Sequence, residues 1–514
     1  MKIRLISYIM AVIMLVSVLL SAVSCDVSML EDLMQDPMLD ADVDGKDEET
    51  SKKDKHEKDT VEDTTKDTSN PTEDTTNNSP LDPPADPDQP ANPDDPFSGL
   101  DFRGEEFMIV STYQGMQKYY APGRETKYSD VISSMVHERN NLIGERYNIN
   151  IINKFVNSPG DVTDLLRASK LVGNTEVDAV LTSSLYSYYI ANGYITDFDR
   201  LGIDFSTGHW DLDVMESITY KGLHIAAFGD MLSTSTNVIF YNKDIASNYG
   251  VDNLYDLVYS GKWTLDTLYD AMNRIGYTDN NGNAIKDAED SYALSGMFMS
   301  FAGSFVFSSD MKLVEKSANG SYSVNENLEK LNNLYLKVKN LFIDCGLSYD
   351  TLYDDVSIFN YGYSLFEIAS TSTIENYADV DFQVGILPYP KETADQADYA
   401  SIYTGDYLCV PAHMVIDIDY ESMGKAFEII NYYSSGIEEN LWTRALSSED
   451  DMEMIHLIRN SLVSELAHVY NDGTLSPLNN LYANGILSND ASIYKINKQD
   501  IAVWNAYLNK RFGY

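Results

Sequence analysis

The chain has 514 residues, enough for roughly two to four domains, and its apolar and charged fractions of 44% and 23% are ordinary for a globular protein. The formal net charge of −44, from 80 acidic against 36 basic residues, is not ordinary. A chain of this charge repels nucleic acid and anionic lipid, which argues against both as partners. Solubility alone is the simpler interpretation of the acidity.

The first 25 residues have the layout of a secretory signal peptide. Lys2 and Arg4 give a positive start, an apolar run follows to about residue 20, and small residues precede Cys25. The run is shorter than the roughly 20 residues that a spanning helix needs. Residues 22–25, AVSC, resemble the lipobox of bacterial lipoproteins. That implies a signal peptide over residues 1–24 and lipidation of Cys25 on the extracytoplasmic face of the cell membrane; plain secretion and an uncleaved anchor are the alternatives.

Residues 25–98 have the composition of a disordered tether. From residue 26 the segment carries 23 acidic residues against 6 lysines and 9 of the chain's 15 prolines, and its first aromatic residue is Phe97. So little apolar surface cannot offset the entropy lost on ordering. Repeated prolines between residues 81 and 96 favour extended polyproline II. We therefore expect an acidic spacer of about 70 residues that holds the folded part away from the membrane.

Strand and helix patterns alternate from residue 101 onward. Residues 107–110, 149–155 and 177–181 form short apolar runs, and residues 130–147 and 161–171 carry apolar positions at helical spacing. This alternation predicts an α/β class with a largely parallel sheet. Ligands bind at the carboxyl ends of strands in such sheets. The polar residues after the first and third strands are therefore binding candidates, with ordinary loop polarity as the alternative: Thr112, Tyr113, Ser183 and Ser184.

Several segments carry a family resemblance through their order along the chain. Residues 261–266, GKWTLD, resemble a "WT-x-(D/E)-L" helix start, and residues 382–390, FQVGILPYP, resemble a "(F/Y)GVAPLP" strand. Further matching segments are 139–149, 177–180, 194–198, 240–244 and 408–411. Over most of residues 101–445 the chain thus resembles the bacterial extracellular solute-binding proteins of family 1, which supply ABC importers, typically with carbohydrates.

The resemblance implies a two-lobed periplasmic-binding-protein-like fold of type II with a hinge between the lobes. Lobe one is expected to take residues 101–230 and 355–402, and lobe two residues 236–350 and 406–514. The chain would then cross between the lobes at three places: Gly229–Thr236, near Asp350, and Thr404–Gly405.

The resemblance also implies a mechanism, which is hinge closure over a small solute, and a partner, which is an ABC permease in the membrane. Sugars are the expected ligands, because carboxylates accept from sugar hydroxyls and aromatic rings cover the apolar face of a sugar. A monomer is expected. Besides the strand-end residues, the hinge supplies five candidate ligand contacts: Asp230, Ser233, Thr236, Tyr403 and Asp406.

Residues 279–290, DNNGNAIKDAED, have the spacing of a cation-binding loop. Oxygen-bearing side chains lie at positions 1, 3, 5, 9 and 12, and the residue at position 7 can offer its carbonyl, as in an EF-hand. The stretch also resembles the "D-x-NGDG-x-x-D-x-x-DQYG" insert of many family 1 proteins. Ala284 departs from the glycine usual at position 6, where φ is positive. We predict a structural Ca²⁺ site, with an empty polar turn as the alternative, formed by Asp279, Asn281, Asn283, Ile285, Asp287 and Asp290.

Common catalytic and nucleotide-binding motifs are missing from the sequence. It contains no G-x-S-x-G, H-E-x-x-H, Walker lysine loop or G-x-G-x-x-G, so we expect neither an enzyme nor an organic cofactor. A glycosidase carboxylate pair stays open. Two alternatives follow, a surface glycan-binding or glycoside-degrading lipoprotein and a peptide-binding or sensor lipoprotein. Cys345 and Cys409 are expected to be buried free thiols.

Overall fold

Two β-sheets organise the part of the chain that the computed structural model describes, namely residues 95–112, 131–172, 177–182, 193–251, 253–351, 357–412, 419–470 and 498–512. The first sheet begins with strands and helices in alternation. They are β1 (Glu105–Thr112), α1 (Val131–Tyr147), β2 (Ile149–Val156), α2 (Pro159–Val172) and β3 (Ala179–Thr182). The predicted alternation of three strands and two helices is confirmed.

The first sheet contains four strands in the order β12-β3-β1-β2, where β12 is the distant strand Tyr407–Cys409. β1 pairs in parallel with β2 along its full length and with β3, whereas β12 runs antiparallel to β3. α1 packs on β2, and α2 packs on β1 and β2. Every residue of β3 is buried, as expected of a strand that is covered on both faces.

The second sheet contains five strands in the order β10-β4-β9-β5-β8. β4 pairs antiparallel with β9 and β10, while β5 pairs in parallel with β8 and β9. Three of these strands, β4, β5 and β10, are buried along their whole length. The strands are β4 (Asn237–Asn242), β5 (Tyr292–Gly296), β8 (Ser348–Asp350), β9 (Ser364–Ser370) and β10 (Val384–Leu387).

The remaining elements surround the two sheets. In chain order, α3 (Leu212–Ser217) precedes the first strand of the second sheet. Between strands of that sheet the chain forms α4 (Lys243–Asn248), α5 (Leu254–Tyr259), α6 (Leu265–Ile275), α7 (Phe298–Phe301), α8 (Ser304–Phe307), β6 (Val314–Lys316), β7 (Tyr322–Val324) and α9 (Leu328–Lys339). Toward the C-terminus lie β11 (Ser401–Ile402), α10 (Tyr420–Tyr432), α11 (Ile437–Trp442), α12 (Glu449–Asn460), β13 (Leu462–Val463), α13 (Leu466–Val469) and α14 (Lys498–Arg511).

The predicted division of the C-terminal half between the lobes is wrong. β9 and β10 lie within residues 355–402, which were assigned to lobe one, yet both pair with β4 in the second sheet. β12 lies within residues 406–514, which were assigned to lobe two, yet it pairs with β3 in the first sheet. A buried apolar strand has the same sequence pattern in either sheet, so the pattern could not reveal which partner it pairs with.

Three connections between the lobes lie in the described part of the chain, and one of the predicted crossings is wrong. Segments 227–236 and 403–408 run antiparallel to each other, with bridges that join Ala227 to Leu408 and Thr236 to Tyr403. The described residues on either side of the predicted crossing near Asp350 do not change lobe, because β8 and β9 belong to the same sheet. The third connection lies instead between α10, which packs on α1, and α12, which packs on β10.

Thr264 and Trp263 fix the start of α6, and of the two cysteines that were expected to be buried free thiols only Cys409 is buried. Thr264 caps α6, because its hydroxyl accepts from the Thr267 N–H at 3.3 Å. Trp263 is fully buried and donates Nε1–H to the Pro388 carbonyl at 2.9 Å, so it is a packing residue. Cys345 and Cys409 are free thiols; Cys409 is buried and Cys345 is half-buried.

The predicted signal peptide, Cys25 and nearly all of the tether lie outside the described residues. Within the described part, no helix is both long enough and apolar enough to cross a membrane.

Candidate ligand-binding site

In both sheets, the carboxyl ends of the parallel strands face the hinge. In the first sheet, Thr182 at the end of β3 pairs with Tyr407, which directly follows the hinge segment 403–406. β1 and β2 run parallel to β3 and therefore end at the same edge. In the second sheet, Ser370 at the end of β9 pairs with Asn237, which directly follows the hinge. The two strand-end edges thus lie on either side of the hinge, where α/β proteins bind ligands.

A cavity of about 410 Å³ opens at the hinge-side edge of the first sheet, where β2 ends and α2 begins. We call it the β2 groove. A lysine, an asparagine and two aspartates supply donors and acceptors, and three apolar side chains complete its wall. Such a mixture suits a ligand that presents hydroxyls beside an apolar face. The residues are Lys154, Asn157, Asp161, Asp164, Phe155, Val156 and Leu165.

The turn between β2 and α2 fixes one aspartate in the β2 groove. The Asp161 carboxylate accepts from the Ser158 N–H at 2.9 Å, and the Ser158 hydroxyl accepts from the Asp161 N–H at 3.3 Å. This reciprocal pair is a capping box, which orients both side chains. The sequence S-P-G-D at residues 158–161 carries that signal, with proline in the first turn. The sequence analysis considered the ends of the first and third strands and missed this one.

The opposite edge, in the second sheet, is formed by the ends of β5, β8 and β9. Gly296 ends β5 with φ of 142°, and a Cβ there would lie 2.6 Å from the Ile368 carbonyl oxygen, so only glycine fits. Met297 follows and is 40% exposed. The Asp350 carboxylate accepts from the Phe298 N–H at 3.3 Å, which joins the ends of β5 and β8.

The four strand-end candidates fall at the hinge-side edge of the first sheet or next to it in sequence. Thr112 is the last residue of β1 and therefore belongs to this edge. Tyr113, Ser183 and Ser184 lie outside the described residues. Ligand contact stays a prediction for all four.

Asp230 lies at the hinge between a histidine and an arginine. Its carboxylate is 2.9 Å from His209 Nδ1 and forms an ion pair with the Arg459 guanidinium. Arg459 is near the end of α12, so this ion pair links the first hinge segment to the second lobe. The geometry assigns Asp230 a role in hinge stability, and its contact with ligand stays a prediction.

Three other hinge candidates are buried and bonded to protein groups. The Ser233 hydroxyl donates to Glu438 at 3.2 Å, and the Thr236 hydroxyl donates to the Ile402 carbonyl at 2.7 Å. Tyr403 donates to the backbone carbonyl of Asp406, the fourth hinge candidate, at 2.6 Å. The Thr236 bond links the first hinge segment to the residue that precedes the second. The Ser233 bond ties the first segment to α11, and the Tyr403 bond lies within the second segment. Contact of these four residues with a ligand stays a prediction.

The sequence analysis missed two C-terminal residues that complete the hinge. Glu438 is buried, and its carboxylate accepts from the Thr234 N–H at 2.8 Å as well as from Ser233. Burial raises the pKa of Glu438, while the hydrogen bonds from Thr234 oppose the rise. Asn431 accepts from the Met231 N–H at 2.7 Å and donates to the His209 carbonyl at 2.6 Å. Their long sequence separation from the first hinge segment leaves no local signal.

The predicted cation loop has the turns that its spacing requires. The Asp279 carboxylate accepts from the N–H groups of Gly282 at 2.6 Å and Ala284 at 2.9 Å. Ala284 has φ of 59°, so alanine adopts the left-handed conformation that glycine usually supplies at position 6. The Asn283 side chain accepts from the Ile285 N–H at 2.6 Å, which continues the tight course of the loop.

Two aspartates close the cation loop in different ways. Asp287 accepts from the side-chain amides of Asn283 at 2.7 Å and Asn281 at 3.3 Å, and the bond from Asn283 holds the pKa of Asp287 below its usual value. Asp290 is fully buried and accepts from the Tyr277 hydroxyl at 2.7 Å and the Asn280 N–H at 3.1 Å. The loop therefore supplies oxygen donors of the hard type that Ca²⁺ prefers.

Comparison with solved structures identifies the fold. The GacH receptor of Streptomyces glaucescens GLA.O, solved unliganded and with acarbose, superposes with a TM-score of 0.51 at 15% identity, over 80% of this chain and 98% of that chain. This chain has the fold of a solute-binding protein. The ABC substrate-binding protein Lmo0181 from Listeria monocytogenes, in complex with cycloalternan, matches at 14% identity and TM-score 0.49, over 79% and 98% of the two chains. No protein-family model matches the chain, and no curated protein does.

The solute-binding-protein fold confirms the predicted α/β class with two lobes and a hinge. At 15% identity the likeness carries the architecture and no residue roles.

Proposed function

We propose that this protein is an extracytoplasmic solute-binding protein that captures a sugar or oligosaccharide for an ABC importer. The β2 groove carries the proposal, because it places exposed polar groups and an apolar wall at the strand-end edge beside the hinge. The fold supports it, and so does the acarbose bound by the GacH receptor, since acarbose is a carbohydrate-like ligand.

Hinge closure would bring the two strand-end edges together around the ligand. Lys154 can donate to sugar hydroxyls, Asp161 can accept from them, and Phe155 can cover the apolar face. Met297 on the opposite edge can complete the apolar enclosure. The hinge residues would stabilise the connection between the lobes. The paired hinge segments would let the lobes rotate and would keep them from separating.

The proposed location is the outer face of the membrane, with lipid on Cys25 and the acidic tether as a spacer. The partner would be a permease that reads the closed form, and the protein would act as a monomer without catalytic activity. Metabolic labelling with a fatty-acid probe tests the anchor. We expect label on the wild-type protein and none on Cys25→Ser, and an unlabelled wild-type protein would refute lipidation.

Calorimetry and thermal unfolding with a panel of mono-, di- and oligosaccharides test the ligand class. A ligand at 100 times its Kd should stabilise the protein by about 2.7 kcal/mol. Short peptides serve as the comparison panel. Stabilisation by peptides and not by sugars would overturn the ligand class, and turnover of a polysaccharide would favour the glycoside-degrading alternative.

We also propose that loop 279–290 holds a structural Ca²⁺. The left-handed Ala284 and the oxygen-rich side chains fit such an ion, which would stiffen the loop before β5. Asp279, Asn281, Asn283, Asp287 and Asp290 would supply side-chain oxygens, and Ile285 its carbonyl. Calcium titration by calorimetry tests this proposal. Absence of heat and of a shift in Tm would reject it.

A further inference from the structure

A cluster of ionisable side chains lies in the first lobe, apart from the β2 groove and the cation loop. His224 Nδ1 is 2.8 Å from the Asp199 carboxylate, and His224 Nε2 is 3.1 Å from the Glu216 carboxylate. Asp197 adds a third carboxylate, and single oxygens of Asp197 and Asp199 lie with a ring nitrogen of His224 within 4.8 Å of one another. We call these four residues the His224 cluster.

Backbone structure holds the His224 cluster in place. Asp197 caps the short 3₁₀ helix Phe198–Leu201 and also accepts from the backbone N–H of His224 at 3.1 Å. The Phe198 N–H donates to the His224 carbonyl at 2.8 Å. The His224 side chain is 19% exposed, whereas those of Asp199 and Glu216 are 55% and 63% exposed. The imidazole is therefore fixed, and the two carboxylates that flank it are free to adjust.

We propose that the His224 cluster binds a zinc-type divalent cation through His224 Nδ1, Asp199 and Asp197, with Glu216 as a positioning residue. One imidazole nitrogen and carboxylate oxygens are ligands that such ions accept, and open positions would be filled by water. Metal-ligating histidines commonly donate their second N–H to a carboxylate, and Glu216 is in place to accept it.

The size of the His224 cluster fits this ion. Zinc–nitrogen and zinc–oxygen bonds of about 2.1 Å at a tetrahedral angle separate two ligand atoms by about 3.4 Å. The contact between Nδ1 and Asp199 is 2.8 Å, so the exposed Asp199 has to withdraw by about 0.6 Å to admit the ion. The alternative occupant of that contact is a proton, which makes an imidazolium bridge between the carboxylates of Asp199 and Glu216.

Zinc titration of the purified protein by calorimetry tests the proposal. We expect one site in the wild-type protein, with Kd raised at least 100-fold by His224→Gln. Glu216→Gln should raise Kd about 10- to 100-fold, because it removes only the orienting charge. His456→Gln is the matched control, since His456 also lies beside a glutamate, at 3.9 Å, but is half-exposed; it should leave Kd unchanged.

X-ray absorption at the zinc edge keeps the proposal falsifiable if a variant folds poorly. We expect one imidazole and at least two oxygen ligands in the wild-type protein. Absence of zinc binding, a spectrum without imidazole, or an unchanged Kd in His224→Gln would overturn the proposal. It would also be overturned if Asp279→Asn abolished zinc binding, because the ion would then occupy the cation loop.

Discussion

The hinge and the β2 groove both carry polar side chains but use them differently. At the hinge, Ser233 and Thr236 are buried, and their hydroxyls donate to protein oxygens at 3.2 and 2.7 Å. At the groove, Lys154, Asn157 and Asp164 are exposed. The comparison teaches that a polar residue at a lobe crossing mainly serves the chain itself, whereas a polar residue that lines an open groove stays available to a ligand.

The physical reason lies in the backbone. A segment that leaves one sheet and enters another has few neighbours for its own hydrogen-bonding groups, and a buried unpaired group is costly. The hinge solves this with side chains from distant parts of the chain, such as Glu438 and Asn431. The groove follows an ordinary strand-to-helix turn, which needs only its own capping box.

The largest expected effect concerns the buried carboxylate of Glu465, which accepts from the N–H groups of Leu313 and Val314. Burial raises the pKa of Glu465 from 4.5 to about 7. The protonated form is therefore favoured in the folded state, so its stabilisation is complete below pH 4.5 and is lost as the pH rises to about 7. That window corresponds to about 3 kcal/mol in the free energy of unfolding.

Urea unfolding between pH 4.5 and 8 checks this expectation. Glu465→Gln should make the dependence on pH less steep, with the remainder due in part to the buried Glu367, whose pKa burial also raises to about 7. Asp164→Asn, a change of an exposed groove carboxylate, should leave the dependence as it is in the wild-type protein. An unchanged slope in Glu465→Gln would contradict the assignment of the pH dependence to this buried group.

Loss of the Glu438 carboxylate should destabilise the hinge. Glu438→Ala leaves the Thr234 N–H and the Ser233 hydroxyl without their acceptor, which should cost about 2 kcal/mol in the free energy of unfolding. Glu439→Ala, the half-exposed neighbour, is the matched control and should change it by less than about 0.5 kcal/mol. Equal effects in the two variants would show that the hinge does not depend on Glu438.

Sequence reasoning predicted the local parts of this fold and missed the distant ones. The alternation of β1, α1, β2, α2 and β3 depends on periodicity and spacing within a few residues. The sheet membership of β9, β10 and β12 depends on pairing across more than a hundred residues, which no local pattern encodes. The lobes were therefore predicted correctly as a pair and assigned incorrectly in their C-terminal halves.

In the candidate site, too, the local features could be predicted from the sequence and the distant partners could not. The rule that ligands bind at strand carboxyl ends pointed to the edge on which the groove lies, and it applies equally to β2, where that groove opens. The S-P-G-D turn at residues 158–161 was readable as a capping box, so the groove carried a usable signal. The partners of Asp230 carried none, because Arg459 is 229 residues away.

A paired substitution tests the contrast between hinge and groove directly. Asp161→Asn should weaken sugar binding about tenfold, equivalent to about 1.4 kcal/mol, because the groove loses a charged acceptor. Thr236→Val should leave the sugar Kd unchanged and lower the free energy of unfolding by about 1 kcal/mol, because the bond to the Ile402 carbonyl is lost. Calorimetry and urea unfolding on both variants give the two readouts. The contrast fails if Thr236→Val weakens binding more than Asp161→Asn does.

The smallest expected effect concerns Ala284 in the cation loop. There the backbone strain of a left-handed residue can be separated from the effect of ion binding. Alanine at φ of 59° is strained, and glycine relieves that strain, so Ala284→Gly should stabilise the protein by up to about 1 kcal/mol. Ala288→Gly in the same loop is the control and lacks that gain, because Ala288 does not have positive φ. Thermal unfolding with and without Ca²⁺ measures both variants. If Ala284→Gly gained stability only with Ca²⁺ present, the strain would belong to the ion-bound loop; a gain in both conditions would mean that the backbone requires the turn whether or not an ion is bound.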